Sequence, residues 1–208
     1  AKTMISTGSV LGMIVVAVLG ALVMTGEYAS GQIRSSMMAV PRRGRLFAAK
    51  ALVGSAFSFV LGLLSVTLAY AASYPFMKGH AGSLTDAHYL GLFWGTGLSF
   101  AIIALMAQGI GHLTRSTAGA ITVVVSLLFV VPIPFNLMAG HWQWANKVLG
   151  LLPDTLSTAV SDPFSLAHQW GQAGTAAFLQ HWQAVAVFTA WAIVPLVIAA
   201  VVFTHRDA

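Results

Sequence analysis

The sequence predicts an all-α membrane protein, a polytopic helical bundle with five spans and short external helices before the last span. Charged residues make up only 7% of its 208 residues and apolar residues 58%, whereas a soluble domain carries about 25% charge. Five segments hold no Asp, Glu, Lys or Arg: Thr3–Gly26, Ala51–Met77, Ala87–Thr114, Ser116–Asn146 and Pro163–His205. Each supplies the roughly 20 residues that a helix needs to cross the hydrocarbon core. The apolar runs, such as Val123–Val131 and Ile193–Phe203, are continuous. Strands of a membrane β-barrel would instead alternate in polarity over about ten residues.

The elements follow in order. The first span is read over Thr7–Met24 and the second over Ala51–Tyr74, with Lys50 snorkelling at its mouth. The third covers Tyr89–Leu113, and its Gly91, Gly95, Gly97, Gly109 and Gly111 permit close packing. Gly91 and Gly95 form a G-x-x-x-G pair, suited to internal packing or to a seam between subunits. The fourth covers Gly119–Leu137, where Pro132 and Pro134 remove backbone donors and should end or bend it. A long external segment follows, about residues 138–183, with interfacial tryptophans at Trp142, Trp144, Trp170 and Trp182. Within it Asp154–Ala167 reads as one or two short helices on the outer surface or dipping back into the bilayer. Asp162 before Pro163 is an N-cap candidate there. The last span covers Ala184–Phe203, kinked at Pro195. Residues 1–208 form one membrane domain without an internal repeat.

Positive charge orients the bundle. Five of the ten Lys and Arg lie between Glu27 and Lys50: Arg34, Arg42, Arg43, Arg45 and Lys50. With that loop inside, Arg115 and Arg206 are inside too, so seven of ten are cytoplasmic, as the positive-inside rule requires. The N-terminal end is then external, with neither an initiating Met nor an A-x-A-like cleavage site. A further helix before Ala1 is expected, six in the full protein. Cysteine is absent, which excludes disulfides and thiolate metal sites. The net charge of +5 sits mostly in one membrane-proximal loop. Its natural counterparts are anionic lipids or an acidic protein surface, not nucleic acid.

Within Glu27–Lys50, the stretch Tyr28–Val40 reads as a short amphipathic helix, with Ile33, Met37 and Val40 at i, i+4, i+7. Pro41 breaks it, and Arg42, Arg43 and Arg45 follow around Gly44. A positive-inside anchor explains the arginines. A docking surface also explains Glu27 at the membrane exit and the helix–break–basic order. On the residues alone both readings stand.

The segment resembles the loop between the second and third membrane helices of type-2 ATP-binding-cassette (ABC) permeases, the membrane subunits of many bacterial exporters. Actinobacterial members read approximately Glu-Tyr-x-x-Gly-x-Ile-Arg, a spacer, Pro-x-Arg and a downstream Ala-Lys. The matching residues are Glu27, Tyr28, Gly31, Ile33, Arg34, Pro41, Arg43, Ala49 and Lys50. The order of spans is also similar, although the family's first helix has no counterpart. The resemblance implies a coupling helix seated in a cleft of an ABC ATPase subunit, with Glu27, Gly31 and Arg34 at or near the contact. Pro41, Arg42, Arg43 and Arg45 complete the expected coupling set, the arginines meeting acidic residues of the ATPase or anionic lipids. It also implies a second permease subunit, identical or related, and a multi-pass place in the bacterial cytoplasmic membrane. Gly31 permits close backbone approach or is a tolerated helix glycine. Glu27 contacts the partner or pairs with a nearby arginine.

Other sites are weaker. No G-x-x-x-x-G-K-[ST] occurs, so no cofactor is expected in this chain, and ATP and Mg would be bound by the partner. His141, His168 and His181 share the outer segment with Asp154 and Asp162, and His80 and His88 flank Asp86, but none has tight metal-ligand spacing. Interfacial hydrogen bonding is the plainer role for them. No charge falls in the middle of a span, which argues against an ion-coupled carrier. Ser99, Gln108, Thr122 and Ser126 are the intramembrane polar residues, expected to bond between helices or to line a path.

The expected function is therefore export of an amphipathic or hydrophobic substrate (a drug, peptide or lipid) by a permease that performs no covalent chemistry. The alternatives are a non-transporting anchor that recruits a cytoplasmic partner, and a membrane enzyme using the external His and Asp residues.

Overall fold

A computed structural model describes residues 2–31, 43–76, 87–162 and 179–206. It is helical where described. Helix α1 runs Lys2–Ser30, α2 Arg43–Ser73, followed by a 3-10 turn Tyr74–Phe76, and α3 Ala87–Thr114. Helix α4, Thr117–Val125, continues through a π-helical turn, Ser126–Val130, into α5, Pro132–Ala139. Two short helices follow, α6 at Gln143–Leu151 and α7 at Pro153–Ser161, and α8 covers His181–Arg206. Among the described residues, five helical stretches are long and apolar enough to cross a membrane, the fourth being Thr117–Ala139. The expected spans are all present.

Helix α3 is the centre of the bundle. Its apolar window is 61% buried, against 17–39% for the other four. It packs against α1, α2, α4, α7 and α8. Ile103, Ala104, Met106 and Ala107 are fully enclosed there. Lipid tails are as apolar as these side chains, so close van der Waals packing rather than water exclusion holds the helices together. Glycines make that packing possible. A Cβ on Gly62 of α2 would lie 2.7 Å from the Gly97 Cα of α3, and one on Gly20 of α1 would lie 2.8 Å from the Ala104 carbonyl oxygen. A Cβ on Gly109 would lie 2.7 Å from the Leu196 nitrogen of α8, beside Pro195. Pro195 sits inside an unbroken α8.

Pro132 does not end the fourth span. The turn before it widens to π geometry, with the Val131 N–H donating to the Ser126 carbonyl at 2.8 Å. A proline ring clashes with the carbonyl four residues earlier, and the wider turn accommodates it. The Asn136 side chain then donates to the Pro132 carbonyl at 2.9 Å, satisfying an acceptor near the irregularity.

The stretch Asp154–Ala167 holds one short helix among the described residues, α7, and α6 is an additional element before it. Asp162 is the C-terminal cap residue of α7, Asp154 lies in the first turn behind Pro153, and the helix start expected after Asp162 falls outside the described residues. Pro163 is outside the described residues. Helix α7 is no surface element. Leu156, Ala159 and Val160 are buried in the same core as Met13, Phe100 and Phe188. Its last turn presses on α3 at Gly95, where a Cβ would meet the Val160 carbonyl oxygen at 2.3 Å. This close approach gives Gly95 an internal packing role.

The charged loop is shorter than its sequence suggests. Glu27 and Tyr28 belong to α1, and Arg43–Lys50 to α2. The expected amphipathic helix over Tyr28–Val40 lies mostly outside the described residues. Gly31 stops α1. Its φ is +70°, the left-handed conformation that glycine adopts without a Cβ penalty, and a Cβ there would meet nothing within 4 Å. Within this chain it is a helix stop.

Candidate functional site at the charged end of the bundle

Four helix ends meet where the basic loop leaves the bundle. The last turns of α1 bring Thr25, Glu27 and Tyr28. The first turns of α2 bring Arg45, Phe47 and Lys50. Helix α3 ends with His112, and α4 begins after Arg115 and Ser116.

Among the described residues Glu27 pairs with Lys50. Both side chains are partly screened from solvent, at 24% and 19% exposure. The pair joins the two helices that flank the loop. Deeper in, the Tyr28 hydroxyl lies 3.1 Å from His112 Nδ1. With the imidazole proton on Nε2, the hydroxyl donates. The two rings meet edge to face, with centroids 5.7 Å apart and planes at 87°. Phe47 of α2 lies against the same imidazole at 4.8 Å. His112 is buried, so α1 and α2 close on it from two sides.

Arg115 covers the outer side of this cluster. Its guanidinium stands 5.7 Å from the Tyr28 ring centroid, within cation–π range. Its φ is +51°, which is left-handed and unusual for a residue with a Cβ. Such a conformation costs about 1–2 kcal/mol and persists only where its surroundings hold it. The surroundings are visible. The Arg115 N–H donates to the Gly111 carbonyl at 3.0 Å, and Ser116 caps α4 by accepting from the Gly119 N–H at 3.3 Å. Thr117 Oγ1 donates to Thr25 Oγ1 at 2.9 Å, which itself donates to the Ala21 carbonyl. The turn between α3 and α4 is thus fastened to α1.

Of the expected coupling residues, the structure brings Glu27 to Lys50 and puts Gly31 at the end of α1. Arg45 is exposed on α2, and Arg43 is its first residue. Arg34, Pro41 and Arg42 lie outside the described residues. Sequence reasoning missed His112, Phe47 and the fastening of Thr117 to Thr25. The available signal was His112 itself, an imidazole closing an otherwise apolar run three residues before Arg115. The contacts of the cluster fix the positions of the four helix ends.

Cavities open on the bundle at both ends among the described residues. One of about 390 Å³ lies between α1 and α2 near this end, lined by Leu19, Val23, Val53, Phe57 and Ser58, with Lys50 at its edge. Another, of about 460 Å³, lies at the far end beside Leu137, Met138, His141 and Trp142. Trp142 stacks on Trp144 there, with centroids 5.8 Å apart. His181 Nδ1 lies 3.3 Å from the Ala159 carbonyl oxygen, which ties α8 to α7. Among the described residues, no three of His, Cys, Asp and Glu gather as a metal site. His80, Asp86 and His168 lie outside them. Gln108 and Ser99 do not bond between helices as expected: Ser99 Oγ and both amide atoms of Gln108 are buried without hydrogen-bond partners among the described residues.

The family model described as ABC-2 family transporter protein matches residues 1–208. No curated protein and no solved structure matches the chain. The chain belongs to the ABC-2 transporter family and is a multi-pass membrane protein with a permease role.

Proposed function

We propose that this ABC-2 family chain is the permease subunit of an ATP-driven exporter in a bacterial cytoplasmic membrane. Separate ATPase subunits bind ATP and Mg²⁺. Two permease subunits, identical or related, enclose the path of an amphipathic or hydrophobic substrate such as a drug, peptide or lipid. The charged end faces the cytoplasm, because that orientation puts seven of the ten Lys and Arg inside. The loop over residues 31–42 is the contact with the ATPase.

The observation that carries this reading is the fastening of α1, α2, α3 and α4 beneath that loop. A basic anchor needs no such base, since arginines at a lipid surface act as independent charges. A loop that transmits force does need one, because any slack in its footing would absorb the stroke. The apolar cavity between α1 and α2, near the same end, suits a substrate with a hydrocarbon part arriving from the inner leaflet.

The test is co-purification of the full-length protein in detergent, with bound chains identified by mass spectrometry. The expected result is a stoichiometric ATPase subunit that dissociates when Gln32–Arg45 is replaced by a neutral linker. Recovery of the permease chain alone, under conditions that preserve other membrane complexes, would overturn the reading in favour of an anchor or an enzyme.

A further inference from the structure

We infer that the Tyr28–His112 contact is the joint through which force from the loop enters the central helix α3, which carries it to the inserted hairpin α6–α7 at the opposite end. The inference rests on the exporter reading and assigns it a route. It makes Tyr28 and His112 positioning residues for transport.

The route follows from what each contact can and cannot transmit. The Glu27–Lys50 pair joins α1 to α2 and does not itself touch α3; at the loop end the contact with α3 is made by Tyr28 and Phe47. The Tyr28 and Phe47 rings both bear on the buried imidazole of His112, one from α1 and one from α2. Movement of either loop-flanking end therefore pushes on the end of α3. Arg115 follows directly, held in a left-handed conformation over Tyr28. A strained residue held by its neighbours gives way when those neighbours move, so it is the natural hinge between α3 and α4.

Helix α3 cannot absorb such a push locally. Its backbone lies against α1 at Gly20, α2 at Gly62, α8 at Gly109 and α7 at Gly95, each within 3 Å of where a Cβ would stand. Tightly packed contacts move as a unit rather than deform. At Gly95 the touching atoms are the main-chain carbonyls of Val160 and Ser161, so displacement of α3 displaces the end of α7.

The chain has no cysteine, so spin labels can be placed singly. Thr158→Cys on α7 and Leu137→Cys on α5 are exposed positions that report movement of α7 against an element outside the set packed on α3. The distance between them is measured in the full-length permease–ATPase complex in nanodiscs, with and without ATP and vanadate. The expected result is a nucleotide-dependent shift in the parent complex. It is lost in His112→Ala with the ATPase still bound, reduced in Tyr28→Phe, and restored in His112→Gln, whose amide can still accept from the hydroxyl. A full shift in His112→Ala, or no shift in the parent complex, would overturn the joint while leaving the ATPase partnership intact. Failure of any ATPase to bind the parent permease would overturn the exporter reading, and the joint with it.

Discussion

Glu27 on α1 and Lys50 on α2 close the base of a loop whose charge otherwise repels itself. Their pairing accounts for the single acidic residue in a segment that carries five basic ones. The pair is partly buried, so it should be worth more than an exposed pair and less than an enclosed one. A double-mutant cycle with Glu27→Gln and Lys50→Met should return a coupling energy of about 1 kcal/mol in thermal unfolding of the detergent-solubilised protein. Additive effects of the two substitutions would contradict the pairing.

Gly95 is the seat of the inserted hairpin. Alanine there would drive a methyl group to 2.3 Å from the Val160 carbonyl oxygen and 2.7 Å from that of Ser161. Both are main-chain atoms, so the hairpin itself must shift. Gly95→Ala should cost about 1–3 kcal/mol. Gly140→Ala is the control, since a Cβ there meets nothing within 4 Å and φ is −71°. It should be neutral or slightly stabilising. Equal stability of the two variants would show that α7 does not rest on α3 as described.

Gln108 is fully buried on α3, its amide pressed against Gly54 of α2. Neither amide atom has a partner among the described residues. An unsatisfied buried polar group costs about 1–3 kcal/mol, so Gln108→Met should raise thermal stability by that order. A loss of stability would mean that the amide is satisfied in the working protein, by substrate or by a second subunit.

Asp154 makes stability depend on pH. Burial raises its carboxyl above the ordinary value of 3.8, which means that desolvation outweighs the favourable helix N-terminus. A carboxyl that binds its proton more tightly when folded destabilises the fold as pH rises above 3.8 and through its folded pKa. Asp154→Asn should therefore be more stable than the parent at neutral pH, and the advantage should vanish below pH 3.8. The backbone carbonyl of Asp154, which accepts from Ser157 and Thr158, is unchanged by the substitution. A difference that persists at low pH would rule out titration as its cause.

The spans were legible because a crossing helix tolerates almost no charge, and five runs lack it entirely. Their ends at the charged side were not. The first span was expected to end at Met24, but Glu27 is paired with Lys50, 23 residues away, and the helix continues to Ser30. A pairing across that separation leaves no local trace in sequence. Of the two effects expected of Pro132, ending the span does not occur, because a π turn satisfies the backbone where an α turn could not. Helix α7 was legible from its acidic, proline-flanked start and apolar residues, whereas α6 was not anticipated, and the burial of α7 required knowing that Gly95 would receive it. His112 went unnoticed because one imidazole in an apolar run is ordinary until Tyr28 and Phe47 are seen to close on it.

The central claim is that the basic loop couples this permease to an ATPase. The most direct measurement is permease-dependent ATP hydrolysis by the full-length complex in liposomes. The double variant Glu27→Ala, Arg34→Glu should lose the permease-dependent part while inserting in normal amounts. Lys50→Met, which breaks the same ion pair without touching the loop's outward charge, should keep most of it. Undiminished hydrolysis in the double variant would contradict the coupling role of the loop.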